Sequence, residues 1–343
     1  MSVEAFLTMP ITYQGLVVES TTRCNAKCGM CYQAAGPQGS DIIGKGVLEE
    51  ETIARVIREV AEIPEVAERF HLAGGEAFLK IDTCIRLYAI ARESGYVEIS
   101  STSNAYWAKR MGEARDVADQ ARAAGLRRLE ISWDYWHSPY IHPGAINNCL
   151  VACHEAGINT NLRLLTTKSH SSGEALAMLD AAALDCASEI SSCPVFPTGR
   201  AITTIDADDI YHSGNLSSTC DSVLHLTVNG QGNIAPCCAG ADQTDGLIFG
   251  NVRDRPVGDI VREMNASPML RALVFLGPGT LLGILEEKGL EAKRDFASIC
   301  HLCWTVASNA DHMKILKNYF EEAEQNPVET ILDRHFGDLA HRH

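Results

Sequence analysis

Three cysteines near the amino terminus have the spacing that points most directly to chemistry. The segment TTRCNAKCGMCYQ places Cys24, Cys28 and Cys31 in a C-x3-C-x2-C arrangement. Thiolates bind zinc and iron–sulfur clusters, and a closed site of either kind usually has four protein ligands. Three thiolates would leave one iron of a four-iron cluster open to a chelating ligand. A zinc site that takes Cys300 and Cys303 as its second pair is the alternative.

A second group of cysteines lies near the carboxyl terminus. Its members are Cys220, Cys237, Cys238, Cys300 and Cys303. Successive residues of a strand point to opposite faces, so Cys237 and Cys238 cannot easily bind one metal centre together. Four ligands are therefore expected from these five cysteines. A four-cysteine zinc site is the alternative for this group too.

Composition limits the class of protein. The chain has 343 residues and 13 cysteines, and its start, MSVEAFLTMP, lacks the basic and apolar regions of a secretion signal. No apolar run reaches membrane-spanning length. We therefore expect a cytoplasmic protein with no membrane partner, in which disulfides are disfavoured and metal binding explains the clustered cysteines. The net charge of −15 argues against a nucleic acid as the main partner.

Short apolar runs alternate with helical patterns through the first part of the chain, and these elements must position the cysteines. The runs that favour strands are ITYQGLVVES, RFHLAG, YVEISS, LRRLEIS, INTNLRLLT and CASEISSC. From the third onward they recur about every 30 residues, the length of a β/α unit. Ile53, Val56, Ile57 and Val60 have the spacing of one helix face. The pattern predicts an α/β fold, with a parallel sheet rolled into a partial (β/α)6 TIM-like barrel.

The pattern changes after PVFPTGRA, residues 194–201. The following LHLTVNGQGNIAPCC has two alternating runs around Asn229-Gly230, a strong hairpin signal. We expect a core over residues 12–203, a separate small module over 204–310, and a closing helix and tail over 311–343. The first cysteine group directly follows the first strand, at the sheet edge where such folds place their sites.

The C-x3-C-x2-C motif after the first strand of a six-unit β/α chain resembles the radical S-adenosylmethionine (SAM) superfamily. In that family the three cysteines hold a [4Fe-4S] cluster, and its open iron binds the amino and carboxylate groups of SAM. The resemblance implies reductive cleavage of SAM to a 5'-deoxyadenosyl radical, which abstracts a hydrogen atom from the substrate. It also implies an external one-electron reductant such as flavodoxin or ferredoxin. The residue before the third cysteine is usually aromatic in the family and is Met30 here, where backbone contact with the adenine is expected.

Polar residues at the ends of the later strands resemble the SAM-binding residues of the same family. Gly74, Gly75 and Glu76 resemble the motif that binds the SAM ammonium, and the glycines would let the backbone approach a ligand closely. The implied SAM-binding set is Gly74, Gly75, Glu76, Ser103, Asn104, Ser132, Arg163 and Met30. Arg163 is either an inward partner of the SAM carboxylate or an outward surface residue.

The segment ISWDYWH, after the fourth strand, supplies two further site residues. Ser132 and Asp134 resemble a common S-x-D pair of the family near SAM and substrate, although a capping network at a strand end explains them equally well. His137 is expected to line the substrate pocket, and we take Asp134 and His137 as catalytic candidates.

The second cysteine group resembles the SPASM/twitch extension of radical SAM enzymes, as does the G-R-A signature in PVFPTGRA. A full SPASM domain has further cysteines after its C-x2-C pair, so the shorter twitch form with one auxiliary [4Fe-4S] cluster fits better. The implied ligands are Cys220, Cys237, Cys300 and Cys303, with Cys238 in place of Cys237 as the alternative. Such a cluster is suited to accept an electron from a substrate radical, in an oxidation, cross-linking or decarboxylation. If Cys238 is instead a hydrogen donor, the reaction is an epimerisation.

The substrate is the least determined part of the prediction. Family members with this extension act on ribosomally made peptides or on sugars and cyclitols of natural products. Cys24 lies so near the amino terminus that a leader-binding domain is expected to be absent, which weakens the peptide hypothesis without excluding it. A non-catalytic adaptor that binds zinc or a cluster is the remaining alternative.

Overall fold

The structure is a computed structural model that describes residues 3–212, 216–220, 224–238, 240–291, 295–321 and 331–332. Its strands form one sheet in the order β6-β5-β4-β3-β2-β1-β7-β8-β9. They are β1 Leu16–Glu19, β2 Arg69–Ala73, β3 Glu98–Ser103, β4 Arg128–Ser132, β5 Asn159–Thr166, β6 Glu189–Pro194, β7 Leu226–Val228, β8 Asn233–Ala235 and β9 Gly250–Asn251. The six strands from β1 to β6 pair in parallel. The predicted α/β fold with a partial six-stranded barrel is confirmed.

Helices connect the barrel strands and cover the sheet. Those of the barrel are α1 Val3–Thr8, α2 Glu50–Ala61, α3 Ile81–Glu93, α4 Met111–Ala124, α5 Pro143–Glu155, α6 Ser172–Leu176, α7 Ala181–Leu184 and α8 Ala201–Thr204. Those after the barrel are α9 Val257–Ala266, α10 Pro268–Leu276, α11 Pro278–Glu287, α12 Ile299–Ala307 and α13 Ala310–Glu321. The predicted apolar face of α2 is buried through Ile53, Val56, Ile57 and Val60. That face packs the helix onto the sheet.

The hairpin predicted around Asn229-Gly230 continues the barrel sheet. Its strand β7 pairs in parallel with β1, with Val228 opposite Val18, and in antiparallel with β8. In the loop between β7 and β8, Gly232 has a positive φ of +86°. The predicted separate module thus shares a sheet with the core, and the boundary near residue 204 stays a prediction. This pairing brings the segment after β8 next to the segment after β1.

The described helices include none that is by itself long and apolar enough to cross a membrane. Only the bent pair α10 and α11, with 118° between them, reaches that length and composition together. Both helices contribute buried side chains to the main core, including Leu270, Leu273, Leu281 and Ile284. Of the predicted tail, residues 322–330 and 333–343 lie outside the described residues.

Candidate functional site

The three cysteines of the first motif line one cavity inside the barrel. Cys24, Cys28 and Cys31 lie on the segment after β1, and the cavity has a volume of about 530 Å³. Burial raises the pKa of the Cys24 and Cys31 thiols, so iron must displace their protons when it binds. Three thiols on one cavity wall fit a cluster that keeps one iron open to a ligand.

Arg200, in the G-R-A signature, holds the cysteine segment in place. Its side chain is buried and donates to the main-chain oxygen of Cys28 at 2.7 Å, while its main-chain NH donates to that of Cys31 at 3.0 Å. Its guanidinium also pairs with Asp41 at 2.9 Å. A Cβ on the preceding Gly199 would lie 2.0 Å from the main-chain oxygen of Tyr32. The signature therefore supports the cysteine segment by direct contact.

Gly74 and Gly75 pack against the same segment from the end of β2. The NH of Gly75 donates to the main-chain oxygen of Thr21 at 2.6 Å. A Cβ on Gly75 would lie 2.2 Å from the main-chain oxygen of Arg23. Both glycines also line the cavity. Because these glycines have no side chain, the backbone after β2 can pack closely against the backbone of residues 21–23. The close approach of the glycines to a ligand, which the sequence predicted, is a separate role.

Glu76 presents a buried carboxylate to the cavity. It accepts hydrogen bonds from Ser103 Oγ at 3.0 Å, from the main-chain NH of Asn104 at 2.8 Å and from that of Phe78 at 3.0 Å. Burial raises the pKa of Glu76 to about 7, because these neutral donors only partly offset the loss of water. A cation in the cavity would gain from this carboxylate, which fits the ammonium group of SAM.

Ser103 and Asn104 have a protein-side role at this site. Besides their bonds to Glu76, the Asn104 amide donates to Asn25 Oδ1 at 3.0 Å and lies 3.6 Å from Cys24 Sγ. Both residues line the cavity. They connect the Glu76 carboxylate to the cysteine segment, and the predicted contact with SAM stays a prediction.

Asp134 and His137 form a buried pair next to the first cysteine motif. His137 Nδ1 lies 2.8 Å from Asp134 Oδ1, and this oxygen also accepts from the main-chain NH of Trp136 at 3.0 Å. Burial lowers the pKa of His137, but the charges of Asp134 and Cys28 outweigh it and raise the pKa well above its usual value. Asp134 therefore both caps the turn and orients His137, which also interacts with Cys28.

The remaining predicted residues of the SAM set also line the cavity. They are Met30, Ser132 and Arg163. Arg163 therefore belongs to the barrel interior, where its guanidinium lies 3.3 Å from Glu130. Cys193, a further thiol of the cavity lining, and Tyr32 also interact with Arg163. The inward alternative for Arg163 is the one that the structure favours.

The second cysteine group separates its two adjacent members. Cys303 lies on α12. Burial is the main cause that raises the pKa of its thiol well above the usual value, and the nearby thiols of Cys220, Cys237 and Cys300 raise it further. Cys238 instead lines the cavity that the first cysteine motif lines. The described residues contain no group of three or more metal-binding side chains that could hold a single metal ion. The four thiols Cys220, Cys237, Cys300 and Cys303 as ligands of an auxiliary cluster therefore stay a prediction.

The site also contains three residues that the sequence analysis did not identify. They are Glu19, Tyr32 and Asp242. Tyr32 Oη donates to Glu19 Oε1 at 2.7 Å, and Asp242 is among the groups that act on the pKa of Glu19. The only signal in the sequence was that Glu19 ends the apolar run LVV with a charged residue. Asp242 offers no local pattern, because its partner lies far away in the chain.

Two family models match this chain in sequence. That of the radical SAM superfamily matches residues 18–166, and that of the SPASM iron–sulfur cluster-binding domain matches residues 220–304. The putative peptide biosynthesis protein YydG of Bacillus subtilis (strain 168) is 24% identical over 311 residues, 88% of this chain and 94% of that protein. The GTP 3',8-cyclase of Cronobacter sakazakii is 34% identical over 126 residues, 36% of this chain and 34% of that enzyme.

Solved structures share the fold. Native anSMEcpe with bound AdoMet has a TM-score of 0.55 and 13% identity, and the alignment covers 93% of this chain and 100% of that one. Native anSMEcpe with bound AdoMet and the Cp18Cys peptide has a TM-score of 0.52 and 14% identity, and the alignment covers 94% of this chain and 99% of that one.

Proposed function

Because this chain belongs to the radical SAM superfamily and carries a SPASM-type iron–sulfur domain, we propose that it epimerises a residue of a peptide, with Cys238 as the hydrogen donor. The enzyme uses SAM and two iron–sulfur clusters, as its two domains imply. When bound, the first cluster and SAM supply a 5'-deoxyadenosyl radical that abstracts a hydrogen atom from the substrate. Cys238 then gives a hydrogen atom to the substrate radical.

One observation carries the choice of epimerisation. Cys238 lines the same cavity as Cys24, Cys28 and Cys31, whereas its neighbour Cys237 lies with Cys303. A thiol that faces the cavity and is spared from iron binding is what a hydrogen-atom donor requires. Burial, Cys237 and the nearby carboxyls Glu19 and Asp242 raise the pKa of Cys238 well above its usual value, so its S–H bond is kept.

A peptide is the substrate class with the most support. The relative that covers 88% of this chain is a putative peptide biosynthesis protein. The cavity volume of about 530 Å³ lies in the range of small-molecule and cofactor sites. Sugars and cyclitols are the alternative class.

The proposed residue roles follow from the contacts in the cavity. Cys24, Cys28 and Cys31 hold the first cluster, and Cys220, Cys237, Cys300 and Cys303 hold the auxiliary cluster. Glu76 binds the SAM ammonium, with Ser103 and Asn104 as its supports, while Gly74, Gly75, Met30, Ser132 and Arg163 shape the SAM pocket. Asp134 positions His137, whose contact with Cys28 places a proton donor beside a cluster thiolate.

An oxidation with the auxiliary cluster as electron acceptor is the second candidate. The grouping of Cys303 with Cys220, Cys237 and Cys300 favours it, because a cluster with four thiolates has no open iron for substrate and is suited to electron transfer. The match to the radical SAM superfamily model argues against the non-catalytic adaptor.

The reaction in heavy water separates these candidates. The reconstituted enzyme is supplied with SAM, a reductant and a peptide encoded beside its gene, and the product is weighed and its configuration determined. Epimerisation adds one solvent deuterium at constant oxidation state, whereas oxidation removes two hydrogens.

The variant Cys238→Ala identifies the donor. It should continue to cleave SAM but lose the epimerised product, because the substrate radical then has no hydrogen donor. Cys193→Ala is the matched control, since Cys193 is the other thiol outside both cluster groups that lines the cavity. Undiminished epimerisation by Cys238→Ala would overturn the assignment.

A further inference from the structure

A second cavity is lined by none of the residues assigned to SAM or to the two clusters. It has a volume of about 1350 Å³ and is lined by the segment after β8, by residues of α12 and α13, and by Ile42 and Ile202. Small-molecule and cofactor sites usually measure about 300–1000 Å³. The second cavity is larger, so it has room for an extended ligand.

Apolar side chains at the second cavity are accessible from solvent. Ile42 and Ile202 are 44% and 41% exposed. Phe249, Met269 and Met313 line the same space and are only partly buried. Single exposed apolar residues are normal on a protein surface, but several that share one cavity indicate a surface that binds a partner.

The charged side chains of the second cavity balance each other. Lys314 and Lys317 line it together with Asp245 and Glu263, two residues of each sign. The whole chain has a net charge of −15, so this surface differs from the rest of the molecule. A lining without net charge complements an uncharged ligand.

Two buried polar atoms at the second cavity have no partner. Gln243 is 6% exposed, and its amide nitrogen donates to Asp242 Oδ2, which fixes the orientation of the amide. Its Oε1 accepts no hydrogen bond from the part of the chain that the structure describes. The indole NH of Trp304, which also lines the cavity, has no acceptor among the same residues. Buried polar groups without partners are costly, so one acceptor and one donor are left for a ligand to satisfy.

The second cavity adjoins the cavity of the first cysteine motif. Thr198 lines the first cavity, and the next residue, Gly199, lines the second. Successive Cα atoms of a peptide are 3.8 Å apart. An extended peptide with one residue in the first cavity therefore has the second cavity within a few residues of its own sequence.

We propose that the second cavity binds an uncharged, apolar segment of the substrate peptide, outside the residue that is modified. This rests on the proposed function, in which the substrate is a peptide. A peptide amide has one donor and one acceptor, which match Gln243 Oε1 and the Trp304 NH. Both atoms are buried in the free protein, so the peptide reaches them with the rotamer changes that are common on binding. Apolar side chains of the segment cover Ile42 and Ile202.

Equilibrium binding of a labelled peptide tests this site. The probe is the peptide encoded beside this gene, with a fluorophore at one end, and the protein is the reconstituted holoenzyme. Ile202→Asp and Gln243→Leu should each weaken binding by about tenfold, the effect of losing one apolar contact or one hydrogen bond. Val97→Asp is the control, because Val97 is 72% exposed and lines neither cavity. Wild-type affinity in both cavity variants would overturn the proposal.

A shortened peptide separates binding at the second cavity from a general effect on the enzyme. This peptide keeps only the modified residue and one neighbour on each side. The wild type, Ile202→Asp and Gln243→Leu should turn it over equally, because it does not extend to the second cavity. With the full peptide, the two variants should raise KM by about tenfold at unchanged kcat, since the contacts are remote from the reacting atoms. An equal loss with both peptides would overturn the proposal.

Photo-crosslinking locates the peptide without relying on activity. Ala310 is exposed and lines the second cavity. A photoreactive benzoylphenylalanine in its place should cross-link the full peptide in the holoenzyme, and mass spectrometry should find the link outside the modified residue. The same replacement at Val97 should give no link. A peptide that cross-links equally at both positions, or at neither, would overturn the proposal.

The failure of the proposed function has a different signature. If the wild type oxidises the peptide, the epimerisation is wrong, while weaker binding by the cavity variants still supports this site. If the wild type neither binds nor modifies the peptide, the peptide substrate and the second cavity's role fail together. If the wild type epimerises the peptide and the cavity variants bind it equally well, only the role of the second cavity fails.

Discussion

At the residue scale, the site depends on ionisable groups that the fold removes from water. Glu76 is buried, and the three hydrogen bonds to its carboxylate come from neutral donors, so a cation in the cavity would gain from this carboxylate. The same burial raises the pKa of Glu19 and of Asp242. Glu76 lines the cavity, whereas Glu19 and Asp242 do not belong to its lining.

If Glu76 binds the SAM ammonium as proposed, SAM binding should depend on pH. With its pKa raised to about 7, Glu76 is ionised at pH 8 and mostly protonated at pH 6. Protonation removes the negative charge that binds the ammonium, so affinity should fall about tenfold over this range. Equilibrium binding of SAM to the reconstituted enzyme, measured at several pH values, checks this.

The control for that measurement is Glu76→Gln. This variant should bind SAM weakly, and it should lose the part of the pH dependence that Glu76 causes. Any slope that remains belongs to the ligand or to other groups. An unchanged slope in the variant would contradict the assignment of Glu76.

At the element scale, the cysteine segment is shaped by contacts from two other segments. The end of β2 packs against residues 21–23 through Gly74 and Gly75, and the G-R-A signature packs against Cys28, Cys31 and Tyr32. Each contact is between backbones or between a buried guanidinium and main-chain oxygens. Such contacts fix the geometry of three thiols that have no regular secondary structure of their own.

Gly75→Ala should loosen this packing. The added Cβ would lie 2.2 Å from the main-chain oxygen of Arg23, and a backbone atom cannot move aside easily. We expect the free energy of unfolding to fall by about 1–3 kcal/mol. Iron bound by the first cysteine motif should fall as well. Chemical denaturation and iron analysis measure the two effects.

Gly112→Ala is the matched control on α4. A Cβ there would meet no atom within 4 Å, and the residue is helical. The substitution should stabilise the protein by about 0.4–1 kcal/mol. If Gly75→Ala were as stable as this control and kept its iron, the packing argument would be wrong.

At the scale of the whole molecule, one sheet joins the two cysteine groups. The hairpin of β7 and β8 extends the barrel sheet from β1, and Cys237 and Cys238 follow directly after β8. One of these thiols then lies with Cys303 while the other lines the barrel cavity. The junction thereby connects the cavity, through Cys238, with the second cysteine group, through Cys237.

Loss of one cluster should therefore have different effects from loss of the other. Cys303→Ala should lower the iron content from about eight to about four per chain, spare some uncoupled SAM cleavage and lose product. Cys24→Ala should lose the other cluster and abolish SAM cleavage. Iron analysis and the yield of 5'-deoxyadenosine measure both. Normal product from Cys303→Ala would show that the auxiliary cluster has no part in turnover.

Local patterns in the sequence determined the fold class and the first cluster motif. The spacing of Cys24, Cys28 and Cys31 lies within one short segment, and the strand and helix periodicities extend over a few residues each. Such signals need no knowledge of distant partners. The six strands and the buried face of α2 followed from them directly.

Only the tertiary structure decided which way particular side chains face. Three features depend on elements that are distant in sequence. Cys238 lines the cavity while Cys237 lies with Cys303, Arg163 lines the cavity, and Glu19 interacts with Asp242. The pairing of β1 with β7 produces the last of these, and long-range strand pairing leaves no local pattern to read. The sequence by itself therefore determined the fold class and the first cysteine motif, and the tertiary structure decided that Cys238 lines the cavity while Cys237 does not.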